Sequence, residues 1–295
     1  MGNPWIKAAR LRTLPLALSG IIAGSLMAWH TRFSWLIFGL TIATAILLQV
    51  VSNYANDLGD FTKGTDTADR KGEARMLASG AIQPRQMKIA LVVLVLLTFL
   101  SGCALLLSAK LTTQQYLSML FLGIASIGAA LGYTLGKKAY GYHGLGDLAV
   151  LIFFGWVSVL GSYFLQTGNF HWSAILPATA IGLLAVAVLN LNNMRDARGD
   201  EKNNKKTLVV QMGMRNAKFY HTVLLATPIL LILLYIAPQY HSVYQLTYLT
   251  TAPILVQLAR TVQRNQEPEL LDGELKKQAL TSFAFAVLFG LGQTF

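Results

Sequence analysis

Long apolar runs separated by short polar gaps dominate the chain from end to end. The runs cover roughly 14–30, 34–54, 88–108, 115–135, 145–165, 174–193, 220–237, 243–260 and 278–295. Most come close to the roughly 20 apolar residues that cross a bilayer core as a helix. The pattern predicts an all-α polytopic membrane protein with nine transmembrane helices. The first run, Leu14 to Trp29, has no small-residue cleavage site behind it and reads as a retained helix.

Two polar gaps differ from the rest in carrying many acids. One reads SNYANDLGDFTKGTDTADRKGEAR, residues 52–75, and the other NLNNMRDARGDEKNNKKTLVVQMG, residues 190–213. Asn56-x-x-x-Asp60 in the first matches Asn192-x-x-x-Asp196 in the second. One ends the second span and the other ends the sixth, so the two lie four helices apart. The economical reading is one domain, 1–295, built of two four-helix pseudo-repeats plus a ninth helix around a central cavity. The motif loops are expected at about 54–88 and 193–219.

Composition supports this class. Only 13% of residues are charged and 54% are hydrophobic, with a mean hydropathy of +0.50; soluble domains carry about 25% charged residues. The net charge of +11 would suit nucleic acid, but its placement argues otherwise. On the nine-span count, 22 of the 24 basic residues fall on one side, leaving Arg32 and Lys110 on the other. Lysine and arginine accumulate on the cytoplasmic side. The N-terminus and both motif loops are therefore expected in the cytoplasm and the C-terminus outside. The excess charge is topological, available to anionic headgroups, and no nucleic-acid partner is expected. All 13 acids share the cytoplasmic side, which topology alone does not demand.

Residues four apart lie on one helix face, so Asn56 points with Asp60, and Asn192 with Asp196 and Asp200. Asp66 is six residues beyond Asp60, and a helix break at Lys63-Gly64-Thr65 would let it turn back. Oxygen ligands of this kind suit magnesium, which takes one or two carboxylates and completes its shell with water and phosphate. Two clusters suit two ions bridged by one diphosphate, with Lys63, Arg70, Arg75, Lys205 and Lys206 available for the remaining phosphate charge. A mixed-charge loop is ordinarily just solvated; the repetition of one spacing on one membrane side favours a site. Neither loop has EF-hand spacing. The five histidines are scattered, and the single cysteine, Cys103, reads as a packing residue.

These motifs resemble the UbiA superfamily of intramembrane aromatic prenyltransferases. NYANDLGDFTKGTD, YGYHGLGDLAVLIFFGW, LNNMRDARGDEKNNKKTL and LRTLPLALSG are similar to its naphthoate branch, from about Trp5 to about Arg260. The resemblance implies a bacterial inner-membrane enzyme of menaquinone biosynthesis. Its donor would be a polyprenyl diphosphate, octaprenyl expected, and its acceptor 1,4-dihydroxy-2-naphthoate. It implies magnesium ligation by Asn56, Asp60, Asp66, Asn192, Asp196 and Asp200, the four aspartates being catalytic. It implies substrate contacts from Lys63, Arg75, Tyr133, Tyr140, Lys205 and Asp147. Asp147 has a second reading, as a cap at the start of its helix. Tyr54, Tyr133, Tyr140 and Tyr142 either line the cavity, where aromatic faces stabilise an allylic cation, or anchor at the interface. The rival functions are another aromatic acceptor such as 4-hydroxybenzoate, a lipid-modifying transferase, and a membrane transporter.

Overall fold

The computed structural model describes residues 3–65 and 75–295. Among these residues all regular structure is helical. In chain order the helices are α1 (Pro4–Ala9), α2 (Leu14–Met27), α3 (Trp35–Thr62), α4 (Pro84–Ser108), α5 (Thr113–Gly132) and α6 (Gly146–Val150). They continue with α7 (Ser158–Thr167), α8 (Ile175–Lys202), α9 (Leu208–Ile236), α10 (Ala252–Arg264) and α11 (Asp272–Gly292). A π-helical segment, Leu151–Val157, joins α6 and α7 into one rod, and a 3-10 stretch, Val243–Thr251, leads into α10. Each expected span falls largely on helix.

Local chemistry sets the ends. Ser34 caps α3 by accepting from the Ile37 amide. Thr112 and Gln115 form a reciprocal capping box at α5. Pro84 opens α4, where its missing N–H costs nothing. Gly168, at φ 73°, closes α7 in the left-handed conformation that glycine adopts without strain.

Among the described residues, six helices are long and apolar enough to cross a membrane: α3, α4, α5, the α6–α7 rod, α8 with its lead-in, and α9 with its extension. The chain is thus a multi-pass membrane protein. The other three expected spans are helical but weaker candidates. α2 has only 14 residues, and α11 opens with Asp272, Glu274, Lys276 and Lys277.

Helix α8 is the axis of the packing. Its most apolar stretch is 67% buried, against 6% for α5. Leu184, Ala187 and Ile181 on α8 pack with Leu224 and Ile232 of α9, Leu255 and Leu258 of α10, and Phe285 and Phe289 of α11. α5 lies at the periphery, where Leu117, Phe121 and Ile124 are exposed and face lipid. Gly155 of the π-helical segment lies against Gly182 of α8; a Cβ on Gly155 would sit 2.6 Å from the Ala178 carbonyl oxygen. Small residues here bring two backbones together, as is common between membrane helices.

The Asn-x-x-x-Asp stretches of both motifs sit on helix. α3 and α8 have 28 residues each, about 42 Å at 1.5 Å per residue. A hydrocarbon core is about 30 Å thick, so each helix is longer than a crossing needs, and its last two turns carry Asp60 in α3 and Asp196 and Asp200 in α8. The loop expected at 193–219 shrinks to 203–207. Asn203 ends α8, Asn204 takes a left-handed φ of 55°, and Thr207 caps α9 by accepting from the Val210 amide. The loop expected at 54–88 likewise narrows, because α3 runs to Thr62 and α4 starts at Pro84.

Candidate functional site

A cavity of about 490 Å³ runs through the helices. Thr41 and Asp60 of α3 both line it; 19 residues of helix separate them, about 28 Å along the axis. Its walls are apolar for most of that length, with Phe99, Leu105, Met119, Phe153, Phe154 and Leu165 among them. The π-helical segment contributes Phe153, Phe154 and Val157, and such segments recur at functional sites. Its charged lining residues are Arg10, Arg12, Asp60, Arg75, Arg195, Lys205 and Lys276, and Asn56 and Asn192 stand among them at one end.

At that end Asp60 is buried at 4% exposure, and among the described residues Arg75 and Tyr142 donate to it. Arg75 Nη2 donates to Oδ2 at 2.7 Å, and Tyr142 Oη donates to Oδ1 at 2.6 Å. The Thr134 hydroxyl lies 3.0 Å from Asn56 Oδ1 and 3.0 Å from the Ala55 carbonyl oxygen. Gly59 lets this contact form, since a Cβ there would come within 2.7 Å of Thr134. Asp57 turns the other way. It is buried at 1% exposure, and its Oδ2 accepts the Met76 amide at 3.2 Å. Through this bond it anchors the backbone at Met76. α3 ends at Lys63 with Gly64 at φ 69°, where the break was expected. Asp66 and Arg70 lie outside the described residues.

The second motif is built around Arg195. Its Nε donates to Asp196 Oδ1 at 2.8 Å and its Nη2 to Asp196 Oδ2 at 2.8 Å. The same Nη2 donates to Asn192 Oδ1 at 2.8 Å, and Nη1 donates to Asp272 Oδ1 at 2.5 Å, at the start of α11. Lys205 Nζ lies 3.4 Å from Asp200 Oδ1. Asn192, Arg195 and Lys205 line the cavity, whereas Asp196 and Asp200 stand behind the two cations.

Tyr133 and Tyr140 line the polar end, packed edge to face with centroids 5.3 Å apart. Burial raises both phenols, Tyr140 to about 12, so both are neutral at ordinary pH. Three other candidates lie off the cavity wall. Tyr54 donates to the Trp5 carbonyl and packs on that ring instead of lining the cavity. Asp147 lies in the first turn of α6, off the cavity lining and beside Tyr220, in keeping with its helix-start reading. Lys63 turns away from the cavity. Its Nζ donates to the Thr134 carbonyl at 2.8 Å and lies 3.9 Å from the Tyr142 ring centroid. Burial, the largest cause, lowers the Lys63 pKa; Asp60 opposes this and Lys205 adds to it.

Sequence reading undervalued Arg10, Arg12 and Arg195. By their place just before the first span, Arg10 and Arg12 suit headgroup anchoring, with a share in substrate entry left open. Arg10 instead adopts φ 48° at the end of α1, an uncommon conformation for a residue with a side chain, and lies on the cavity wall. Asn53 holds this elbow, donating to the Ala9 carbonyl at 2.8 Å. The one available signal for Arg195 was its place between Asn192 and Asp196.

Among the described residues, no three His, Cys, Asp or Glu side chains converge as a metal cage. The donor set nevertheless fits magnesium, which needs only one or two carboxylates per ion and draws its remaining ligands from phosphate and water. Arg75, Arg195 and Lys205 supply positive charge to those same oxygens.

The pattern of the UbiA prenyltransferase family matches residues 17–289, and the chain belongs to that family. It is 44% identical over 289 residues to the 1,4-dihydroxy-2-naphthoate octaprenyltransferase of Escherichia coli (strain K12), covering 98% of this chain and 94% of that protein. Its fold is similar to the apo structure of a UbiA homologue from Aeropyrum pernix K1, with a TM-score of 0.71, 17% identity, and coverage of 96% and 97%. It is also similar to a UbiA homologue from Archaeoglobus fulgidus bound to DMAPP and Mg2+, with a TM-score of 0.67, 13% identity, and coverage of 97% and 99%.

Proposed function

We propose that this UbiA-family enzyme transfers a polyprenyl group, octaprenyl in the first instance, to 1,4-dihydroxy-2-naphthoate. Carbon dioxide and diphosphate leave, and demethylmenaquinol forms for menaquinone biosynthesis. The observation that carries this reading is one long apolar cavity closed at a single end by two carboxylate motifs and their cations. The 44% identical relative supports the acceptor and the prenyl class.

In this reading Asn56, Asp60, Asp66, Asn192, Asp196 and Asp200 hold two magnesium ions across the donor diphosphate. When bound, the metal supplies charge stabilisation for the departing diphosphate. Arg75 and Lys205, both on the cavity wall, bind the phosphate oxygens and stabilise charge as it builds there. The allylic C–O bond breaks, and its electron pair leaves with the diphosphate. The carboxyl-bearing ring carbon of the naphthoate then bonds to the allylic carbon. Loss of carbon dioxide returns the C–C electrons to the ring and restores aromaticity. Tyr133 and Tyr140, neutral and packed edge to face, are the aromatic groups that would stabilise the electron-poor carbon. The apolar walls keep water from it.

The protein sits in the bacterial inner membrane with nine crossings, the N-terminus and motifs inside and the C-terminus outside. A transporter would place its polar groups near the midplane, whereas the cavity charges gather at one end. The deciding experiment incubates purified protein with magnesium, 1,4-dihydroxy-2-naphthoate and prenyl diphosphates of several lengths. Magnesium-dependent release of diphosphate and carbon dioxide with a prenylated naphthol is expected. Equal turnover of 4-hydroxybenzoate, or no diphosphate release at all, would overturn the reading.

A further inference from the structure

Tyr142 touches both acidic motifs at once. It closes a short 3-10 turn, Tyr140–Tyr142, whose middle residue, Gly141, is pressed on Tyr133; a Cβ there would lie 2.8 Å from the Tyr133 ring. With Gly141 fixed, Tyr140 lines the cavity and Tyr142 lies outside its wall. There the Tyr142 hydroxyl donates to Asp60 Oδ1 at 2.6 Å, and Thr65 Oγ1 lies 3.1 Å from the same phenol oxygen. Lys63 Nζ is 3.9 Å from the ring centroid and Lys205 Nζ is 5.6 Å from it. Both distances are in the range where an ammonium is attracted to an aromatic face. Lys205 in turn pairs with Asp200. The backbone completes the connection, as the Lys206 amide donates to the Tyr142 carbonyl at 3.0 Å. Asn203 Nδ2 also donates to the Thr65 carbonyl at 3.3 Å.

We propose that Tyr142 is a positioning residue that sets the two motifs in register: its hydroxyl orients Asp60, and its ring seats Lys205 against Asp200. The 28 residues of each motif helix run independently through the bilayer, so their ends need a cross-tie on the polar side. Tyr142 supplies it without touching substrate. This inference rests on the proposed function, since it assumes that both motifs act on one diphosphate.

The test compares full-length wild type with Tyr142→Phe and Tyr142→Leu, purified in detergent. Two readouts are taken: the magnesium concentration for half-maximal turnover, and the rise in melting temperature caused by magnesium with inorganic diphosphate. Tyr142→Phe keeps the ring and loses the bond to Asp60. It should raise the magnesium requirement about 10-fold, the size of one hydrogen bond to a charged group, with KM for the naphthoate within about twofold. Tyr142→Leu also loses the cation seat and should abolish most of the diphosphate-induced thermal shift. A wild-type magnesium response in a folded Tyr142→Phe overturns the proposal. So does a Tyr142→Leu thermal shift equal to wild type. If Tyr142→Phe is unstable without ligand, Lys205→Met decides by the thermal shift, which should shrink like that of Tyr142→Leu; an unchanged shift overturns the proposal. If wild type transfers no prenyl group, the proposed function has failed, and the thermal shifts alone still decide the role of Tyr142.

Discussion

Arg195 grips Asp196, its neighbour on the same helix, with two parallel hydrogen bonds of 2.8 Å. The guanidinium side chain is 2% exposed and also reaches Asp272 at the head of α11. A planar fork on a carboxylate is the strongest form such a pair takes. Arg195→Ala leaves Asp196 without its counter-charge and cuts the tie from α8 to α11. It should cost about 3–5 kcal/mol, the usual penalty for breaking a buried pair from one side. Arg195→Lys keeps the charge but not the fork and should recover only part of this. Thermal unfolding of the three proteins in one detergent orders them; equal melting temperatures would contradict the assignment.

Asp60→Ala or Asp196→Ala should reduce turnover by about 10²–10³-fold or more, the scale of losing a group that stabilises transition-state charge. Both proteins should still insert and purify. Asp60→Ala should melt lower than Asp60→Asn, because asparagine keeps an acceptor for the buried Arg75 guanidinium and alanine does not. Wild-type turnover from purified Asp196→Ala in magnesium would remove that residue from the site.

Chelation should stop turnover, and added magnesium should restore it. In the absence of substrate the fold should barely respond. Arg75, Arg195 and Lys205 already balance the carboxylates that the metal would meet. A large fall in melting temperature on chelation alone would mean that the metal is structural.

Asp147→Asn and Tyr220→Phe should each keep turnover within about threefold. The pair lies off the cavity lining and joins α6 to α9. A hundredfold loss in Asp147→Asn with an unchanged melting temperature would return this residue to the substrate site.

Gly155→Ala should destabilise by about 1–3 kcal/mol, as overpacking does. The added methyl meets the Ala178 carbonyl at 2.6 Å, and the shift is passed to Phe153 and Phe154 on the cavity wall. Turnover of the longest prenyl donors should fall before that of the shortest.

The apolar runs and the distribution of lysine and arginine were enough to recognise a helical membrane protein, because the bilayer imposes both directly on composition. The Asn-x-x-x-Asp spacing was enough to pick out Asn56, Asp60, Asn192 and Asp196, because a four-residue interval puts two side chains on one helix face. Neither pattern contains information about what stands across from a face. Asp147, Lys63 and Tyr54 looked like site residues by neighbourhood in the chain, yet their partners, Tyr220, Thr134 and Trp5, turn them elsewhere. Arg10 and Arg12 looked like anchors, yet they line the cavity through an elbow that Asn53 holds from 44 residues away. The cross-tie from Asp60 through Tyr142 to Lys205 spans three segments far apart in the chain. Helical periodicity is local, so the chain alone determined which faces are polar. Which cation meets which carboxylate depends on how the helices pack around α8, and that only the tertiary structure decided.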